Sequence, residues 1–514
     1  MLQFETYSRG ALAKDVDLSG AYVFGLDQIP VRADIAVSGG ILSCIKRVPG
    51  ACGLAILWEA GKAGRLLLPT TRMPERQEPY NLNVELARAQ MTRLTQKRED
   101  WGLFDYANAE EINREYREVR AMFVESLKPR DQAAAAAAAD EALARSVMLG
   151  EKMALFHADV LLERRKANSS SAWRTGFGCM VDLLATTEEY ARRIYDTFDF
   201  ISIPSAWKHI EPKEGQLRFA QIDHWINWAA RTRKFIHAGP LLSFDQAHLP
   251  EWVYIWEHDY ESLRDLIYEH IQRMVSRYAS QPSVWKVVSG IHAYNSFNLS
   301  FEQLMELTRM SCLLVKKLAP RSRVMIDLVM PWGEYYARNQ RTIPPLLYAD
   351  MAVQSGIKFD AFGVQIHMGV PVDGLFVRDL MQISSMLDEF AGMGKTVHIT
   401  ACQVPSAISA DAWDAWGGRE AVPKAGVWHA PWSQRLQAEW LRAFYRICMS
   451  KPFIESICWH DLADYEGHYV PHGGLCKNNM EAKLAFKELR NFKTSLHEPT
   501  RRGKPTEPTG DNDA

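Results

Sequence analysis

The chain has 514 residues, of which 47% are hydrophobic, 11% aromatic and 24% charged. This composition excludes an intrinsically disordered protein, and the length allows two to four domains with a sizeable core. The formal net charge of −2 provides no basic field that would attract nucleic acid or an anionic membrane.

The N-terminus and the cysteines indicate a protein of a reducing compartment. Met1 to Glu5 contain an early acidic residue and no apolar stretch of a signal peptide, and no run of about 18 apolar residues is present. The eight cysteines are scattered without a C-x-x-C pair, which favours buried reduced thiols over a disulfide framework or a zinc site. We therefore expect a cytoplasmic protein without a membrane-spanning segment.

Residues 1–80 have the pattern of a small β-rich domain. Short apolar stretches such as Gly53–Trp58 are bounded by turn signals such as Ser38-Gly39-Gly40, as in an antiparallel sheet or a sandwich. A carbohydrate-binding module and a packing or assembly domain are both open interpretations of this region.

Residues 81–168 are predicted to be helical. The pattern indicates helices around 83–91, about 108–127 and about 131–166, and the last contains the alanine run 133–139. Either a coiled-coil partner or the neighbouring domains would cover one apolar face of the third helix. The residues of that face are Leu143, Val147, Met148, Met153, Leu155 and Val160. The polar stretch 168–171 is typical of a linker.

Residues 172–496 alternate strand-like runs with helical patterns. Eight βα units over this length predict a (β/α)8 TIM barrel, an α/β fold. A doubly wound sheet is the alternative, but no glycine-rich phosphate turn follows the first strand. The predicted strands are 176–180, 198–203, 235–239, 283–288, 324–329, 361–367, 397–400 and 454–459. Residues 497–514 are predicted to be a disordered tail.

Several motifs of this region occur in the order and spacing of one enzyme family. Residues 207–215 read W-K-H-I-E-P-K-E-G, and residues 249–252 read L-P-E-W. Residues 363–367 read G-V-Q-I-H, and residues 459–464 read W-H-D-L-A-D. On these residues, the region from about 177 to 489 resembles glycoside hydrolase family 10, the xylanase family. The resemblance implies a TIM barrel, an oligosaccharide or polysaccharide ligand and no cofactor.

The resemblance places the two catalytic glutamates of the family at Gly290 and Ala401. The family segment W-D-V-V-N-E corresponds to W-K-V-V-S-G at 285–290, and I-T-E-L-D corresponds to I-T-A-C-Q at 399–403. A retaining glycosidase needs two carboxyl groups about 5–5.5 Å apart, one as acid and one as nucleophile. Glycine and alanine supply neither, which indicates a non-hydrolytic glycan-binding pseudoenzyme or a chemically diverged glycosidase.

An active O-glycosyl hydrolase with relocated carboxylates is an alternative function. Its candidates follow predicted strands five, three and eight. They are Glu334, Asp245 and Asp464, with Asp461 and Glu466 beside Asp464. Glu334 has a structural interpretation too, in which it caps the following helix or pairs with an arginine such as Arg338. The third possible function is that of a non-enzymatic scaffold, in which loops or the N-terminal region would fill the barrel mouth.

The resemblance also suggests side chains that would contact a sugar, because aromatic rings provide flat apolar faces. These residues are Trp207, Trp332, Tyr335, Gln365, His367 and Trp459. His367 and His398 lie at strand ends as a metal-binding pair would, but the resemblance gives His367 a hydrogen-bonding role, and no metal site is expected. His292 and Asn295 lie close after Gly290 and are within reach of the vacated acid position.

Overall fold

The computed structural model describes residues 1–168 and 175–497, and its centre is a closed barrel of eight parallel strands. The predicted TIM barrel is therefore confirmed. Cys179 of the first strand pairs with Trp459 of the eighth, which closes the barrel. The strands are Gly176–Met180, Phe200–Ile203, Phe235–Ala238, Val284–Ser289, Arg323–Leu328, Ala361–His367, Thr396–Gln403 and Ile454–Trp459.

Helices surround the barrel and bury the outer faces of its strands, so that every residue of the fourth strand is buried. Ser300 illustrates how these helices start: its side chain accepts from the Gln303 amide, and the Gln303 side chain accepts from the Ser300 amide. The α-helices of this region are Glu188–Thr197, Trp207–Ile210, Ala220–Thr232, Tyr260–Tyr278, Phe301–Leu318, Tyr335–Arg338, Pro345–Gln354, Leu380–Asp388, Gln434–Ser450 and Leu484–His497. None of the helices in the described ranges is long and apolar enough to cross a bilayer.

The seventh strand is longer than the sequence predicts, because it continues through Ala401 to Gln403. Its register with the sixth strand shifts between Val364 and Gln365, which places Gln365 opposite Ala401. The second strand, in contrast, starts two residues later than predicted, at Phe200. The predicted linker residues 169–171 and the predicted tail from 498 lie outside the described residues.

The N-terminal region forms two main sheets, as the predicted β-rich pattern requires. One sheet contains, in spatial order, Tyr80–Asn81, Leu2–Glu5, Ile41–Lys46 and Ala33–Ser38. The other contains Val427–Trp428, Gly64–Pro69, Gly53–Glu59, Tyr22–Phe24 and Pro30–Val31. A separate two-stranded sheet pairs Tyr7–Ser8 with Ala11–Leu12. All pairings are antiparallel except that of Leu2–Glu5 with Tyr80–Asn81.

Three long helices connect this region to the barrel, namely Leu82–Asp100, Glu110–Ser126 and Gln132–Asn168. The third helix packs on the other two and on the barrel helix Gln434–Ser450. Leu143, Val147 and Met153 are fully buried in this packing, whereas Met148 is 36% exposed and does not belong to the predicted apolar face. Neighbouring elements of the same chain therefore cover this face.

The N-terminal sheets and the barrel are joined through the backbone. Val427–Trp428, which follows the seventh barrel strand, pairs with Arg65 and Gly64 at the edge of the five-stranded sheet. The Leu67 amide also donates to the carbonyl of Val377, over 2.8 Å. One continuous cluster of buried apolar side chains extends from the N-terminal sheets through the helices to the barrel.

Candidate functional site

Gly290 immediately follows the fourth barrel strand and has a left-handed φ of 62°. A methyl group on its Cα would lie 2.8 Å from Tyr294 Cδ2 and 3.0 Å from Val329 Cγ2. Glycine allows both this backbone conformation and this close approach, because it has no Cβ atom. The ring of Tyr294 therefore lies in the space toward which a side chain at position 290 would project.

Tyr469, from the loop after the eighth strand, interacts with Tyr294. Burial and the neighbouring charges of Tyr469 and Asp245 raise the pKa of Tyr294, and burial raises the pKa of Tyr469 to about 12. The Tyr469 ring centroid lies 4.9 Å from that of His367 and 5.8 Å from that of Trp416. The loops after the fourth, seventh and eighth strands thus contact each other through aromatic side chains that the sequence patterns did not single out.

Asp327 of the fifth strand holds a buried polar network inside the barrel. Its carboxylate accepts from Ser289 Oγ at 2.6 Å and from Gln365 Nε2 at 2.7 Å. Thr400 Oγ1 donates to the other carboxylate oxygen. Asp327 is 1% exposed, so these donors replace the water that the carboxylate lost on folding. An acidic residue inside the apolar run 324–329 was the available sequence signal for this site.

Glu334 is buried in an ion pair with an arginine, as its structural interpretation suggested, but the arginine is Arg378 and not Arg338, which was named as an example. The Glu334 carboxylate is 1% exposed and pairs with Arg378. Arg338 instead pairs with Asp373, with Nε 2.7 Å from Oδ2. Glu334 is the residue before the short helix Tyr335–Arg338, but its side chain makes no capping hydrogen bond. The guanidinium of Arg378 also lies 4.5 Å from the Trp332 ring centroid, so this candidate platform covers the ion pair.

The other candidate carboxylates have local hydrogen-bond partners. Asp464 accepts from the Gly474 amide at 2.9 Å and lies 2.7 Å from Lys483 Nζ. Asp245 lies 3.4 Å from His248 Nδ1. Burial raises the pKa of Asp245, but His248 and nearby backbone amides outweigh burial and lower it. Both carboxylates therefore make local contacts that stabilise their own loops.

Asp461 and Asp182 follow the eighth and first strands, and their surroundings shift their pKa values in opposite directions. Burial raises the pKa of Asp461, but His460 and Gln403 outweigh burial and lower it. Burial raises the pKa of Asp182, and the charge of Asp461 raises it further. Gln403 Nε2 and His460 Nδ1 lie 2.8 Å and 3.1 Å from Asp461 Oδ2. Asp182, which follows the first strand, was missed by sequence reasoning.

Most of the suggested sugar-contacting residues lie in the core. Trp207 is 4% exposed, stacks on His270 and donates to Glu211 at 3.0 Å. Trp459 is fully buried and donates to the Gly473 carbonyl at 3.1 Å. Tyr335, which is buried, contacts His292 Nδ1 at 2.6 Å and so gives His292 a structural role.

Four further predicted residues have defined positions. Gln365 belongs to the Asp327 network, and His367 is 4% exposed beneath Tyr469. His398 contacts Ser456 Oγ at 2.7 Å. Asn295 accepts from the Leu299 amide at 2.8 Å and stabilises its own loop. The described residues contain no group of three or more His, Cys, Asp or Glu side chains arranged for a metal ion.

The fold is a (β/α)8 barrel with its candidate site at the C-terminal ends of the strands. The family model described as "Glycosyl hydrolase family 10" matches residues 167–492, well over half of the chain. The chain belongs to glycosyl hydrolase family 10.

Known relatives and solved structures of this family are distant from the chain. Endo-1,4-beta-xylanase B of Thermotoga neapolitana is 21% identical over 289 residues, which cover 56% of this chain and 75% of that protein. Endo-1,4-beta-xylanase 3 of Hypocrea jecorina is 26% identical over 167 residues, which cover 32% of this chain and 46% of that protein. The crystal structure of native xylanase 10B from Thermotoga maritima superposes with a TM-score of 0.47 at 15% identity, covering 66% of this chain and 98% of that chain.

Proposed function

We propose that this family 10 protein binds β-linked oligosaccharide without cleaving it. The position of Tyr294 at Gly290 is the observation that carries the proposal. Glycosidic cleavage needs two carboxyl groups, about 5–5.5 Å apart for retention or about 6.5–9.5 Å apart for inversion. Gly290 and Ala401 supply neither group, and the Tyr294 ring occupies the acid's side of the mouth.

Two buried carboxylates in and after the fifth strand have other partners. Asp327 accepts three hydrogen bonds from Ser289, Gln365 and Thr400, and Glu334 is paired with Arg378. Both carboxylates are therefore engaged with groups of the protein itself rather than directed at a bound sugar. These contacts support a barrel that has kept its architecture without hydrolysis.

Exposed aromatic residues at the rim support binding of a sugar chain. Trp413 is 48% exposed, and Trp416 and Tyr469 are half-buried beside it. Trp416 Nε1 donates to the Tyr469 carbonyl at 3.0 Å, which fixes the Trp416 ring against the neighbouring loop. Because the curated relatives are named endo-1,4-beta-xylanases, xylo-oligosaccharides are the ligand class we propose. The eight free, buried cysteines support a location in the reducing cytoplasm.

Hydrolysis by relocated carboxylates is the second candidate function, and Asp182 with Asp461 is the observation that favours it. The two carboxylates follow the first and eighth strands, which pair with each other, and their pKa values shift in opposite directions, as a general acid and its partner base require. In this alternative, Asp182 would donate the proton and Asp461 would act in its charged form.

Assays of turnover and of binding separate these functions. Purified protein is tested for cleavage of 4-nitrophenyl β-xyloside and xylo-oligosaccharides, and for xylo-oligosaccharide binding by calorimetry. We expect binding without turnover, and at least about tenfold weaker binding by Trp413→Ala, the loss of one favourable contact. Phe235→Ala is the control, because Phe235 is 68% exposed at the start of its strand, at the opposite end of the barrel.

Two outcomes would contradict the proposal. Turnover that disappears in Asp461→Asn would establish hydrolysis by the relocated carboxylates. Neither binding nor turnover would exclude both carbohydrate functions and favour the scaffold interpretation.

A further inference from the structure

Two loops at the C-terminal rim bring a serine, two histidines and an aspartate together. Ser409 and Asp411 follow the seventh barrel strand, and His468 and His472 follow the eighth. Ser409 Oγ lies 3.1 Å from His472 Nε2, and Asp411 Oδ2 lies 3.3 Å from His472 Nδ1. The two ring nitrogens of His472 thus face a hydroxyl and a carboxylate on opposite sides.

Asp411 is held in position by several donors. Its Oδ2 accepts from the His472 amide at 3.0 Å and contacts His468 Nε2 at 2.7 Å, while Oδ1 accepts from the Trp413 amide at 3.1 Å. Burial raises the pKa of Asp411, but these amides and the two histidines outweigh burial and lower it. Asp411 is therefore a fixed negative charge beside the His472 ring.

This charge selects the tautomer of His472. Asp411 contacts Nδ1 as a charge rather than through a hydrogen bond, and a negative charge at that distance favours the form with the proton on Nδ1, so that Nε2 can accept from Ser409 Oγ. The Ser409 carbonyl, also 3.1 Å from Nε2, would stabilise the opposite form, but it is a neutral acceptor and Asp411 is charged. The favoured tautomer is the one in which His472 can take a proton from Ser409.

We propose that Ser409, His472 and Asp411 form a second active site that hydrolyses small carboxylic esters. Ser409 Oγ attacks the ester carbonyl carbon and its proton moves to His472 Nε2. The ester C–O bond then breaks, and Nε2 returns that proton to the leaving alkoxide. Water attacks the resulting acyl-serine in the same way, which releases the carboxylic acid and restores Ser409.

The surroundings of Ser409 suit this chemistry. In the described part of the chain, the backbone amides of Ser409 and Ala410 donate no hydrogen bond, so both can donate to the oxyanion of the tetrahedral intermediate. Ser409 is exposed, and the exposed side chains of Ile408 and Trp413 provide apolar contacts for a short acyl or aryl group. The site shares Trp413 with the proposed sugar-binding rim, but its chemistry uses neither Gly290 nor Ala401 and does not depend on the glycan-binding proposal.

Hydrolysis of 4-nitrophenyl acetate by the full chain tests the proposal. We expect Ser409→Ala and His472→Asn to lower kcat/KM by at least about 100-fold, the range of general-base and nucleophile losses. Asparagine tolerates the left-handed φ of 51° at position 472, and Ser409 is exposed, so both variants should fold. The control is His258→Ala, since the His258 side chain is 91% exposed and any accessible imidazole cleaves this ester slowly.

A fluorophosphonate reagent provides a readout independent of turnover. Mass spectrometry should find the adduct on Ser409 in the wild-type protein, and labelling should be at least about 100-fold slower in His472→Asn. Turnover that persists in Ser409→Ala, or the absence of an adduct on Ser409, would overturn the proposal. Equal turnover in the wild-type protein and in His472→Asn would overturn it as well.

Discussion

The ring of Tyr294 occupies the space in front of Gly290, at 2.8 Å from the position of a methyl group on that glycine. Tyr294 is only four residues further along the chain, so the loop that carries the acid in the family closes back on itself here. Restoring a glutamate at position 290 would require both a change of backbone conformation and displacement of the ring. The glycine at position 290 and the ring packed against it are thus two parts of one local arrangement.

Gly290→Ala should destabilise the protein by about 1–3 kcal/mol, because the new methyl group combines left-handed strain with overpacking against Tyr294. In a Tyr294→Ala background the overpacking is absent, and the same substitution should cost less. Urea unfolding of the two single variants and the double variant measures this coupling. Gly392→Ala is the control, because a methyl group there has no neighbour within 4 Å. Equal costs in both backgrounds would show that the Tyr294 ring does not restrict position 290.

Glu334→Ala should lower the free energy of unfolding by about 3–5 kcal/mol, because it leaves the buried Arg378 guanidinium without its carboxylate. Arg338→Ala removes a half-exposed ion pair with Asp373 and should cost less than about 1 kcal/mol. Urea or thermal unfolding compares the two variants. If Glu334→Ala kept wild-type stability but abolished a measured glycosidase activity, Glu334 would have a catalytic role.

Glu151 in the long helix Gln132–Asn168 should determine whether the N-terminal elements and the barrel unfold together. It accepts from the Leu380 amide at 3.0 Å and Trp428 Nε1 at 2.7 Å, and contacts His429 Nε2 at 2.5 Å. Glu151→Ala leaves these buried donors unsatisfied and should cost about 3 kcal/mol or more. Calorimetry should show one transition for the wild-type protein, and in Glu151→Ala unfolding should begin at a lower temperature. Glu141→Ala, at an exposed position of the same helix, should change neither the number of transitions nor their temperature.

His157 should make stability fall on acidification. Burial, with the charge of Lys451, lowers the pKa of His157 to about 4 in the folded protein, below the unfolded value of 6.5. Between pH 6.5 and about 4, the unfolded chain binds a proton that the folded chain does not, so the free energy of unfolding decreases as pH decreases.

His157→Phe keeps the stacking on Trp101, where the ring centroids are 4.8 Å apart, and removes the titrating group. Urea titrations at several pH values should show a pH slope that is smaller by at most about 1.4 kcal/mol per pH unit in that window. Above pH 7 the variant and the wild type should have the same slope, and the exposed His258→Phe should change nothing. An unchanged slope in His157→Phe below pH 6.5 would contradict this assignment.

Predictions that depend on local pattern agree with the structure. The eight strands were predicted within a few residues, because apolar runs between amphipathic helices are characteristic of a barrel. The exact end of the seventh strand was not predictable, since Ala401 and Cys402 continue it through hydrogen bonds to the sixth strand. An arginine partner for Glu334 was predicted with Arg338, which is close in sequence, as the example, whereas Arg378 reaches Glu334 from 44 residues away.

The sequence alone determined the barrel and the family, and it placed Gly290 and Ala401 where the resemblance puts the catalytic glutamates, because strand periodicity and residue identity are properties of the chain itself. Only the tertiary structure decided what fills the vacated mouth, which carboxylates are buried in networks, and that Ser409 meets His472. Apart from the contact of Tyr294 with Gly290, these contacts join segments that lie far apart in sequence. Their approach depends on barrel closure and on the packing of large side chains, which no local pattern records.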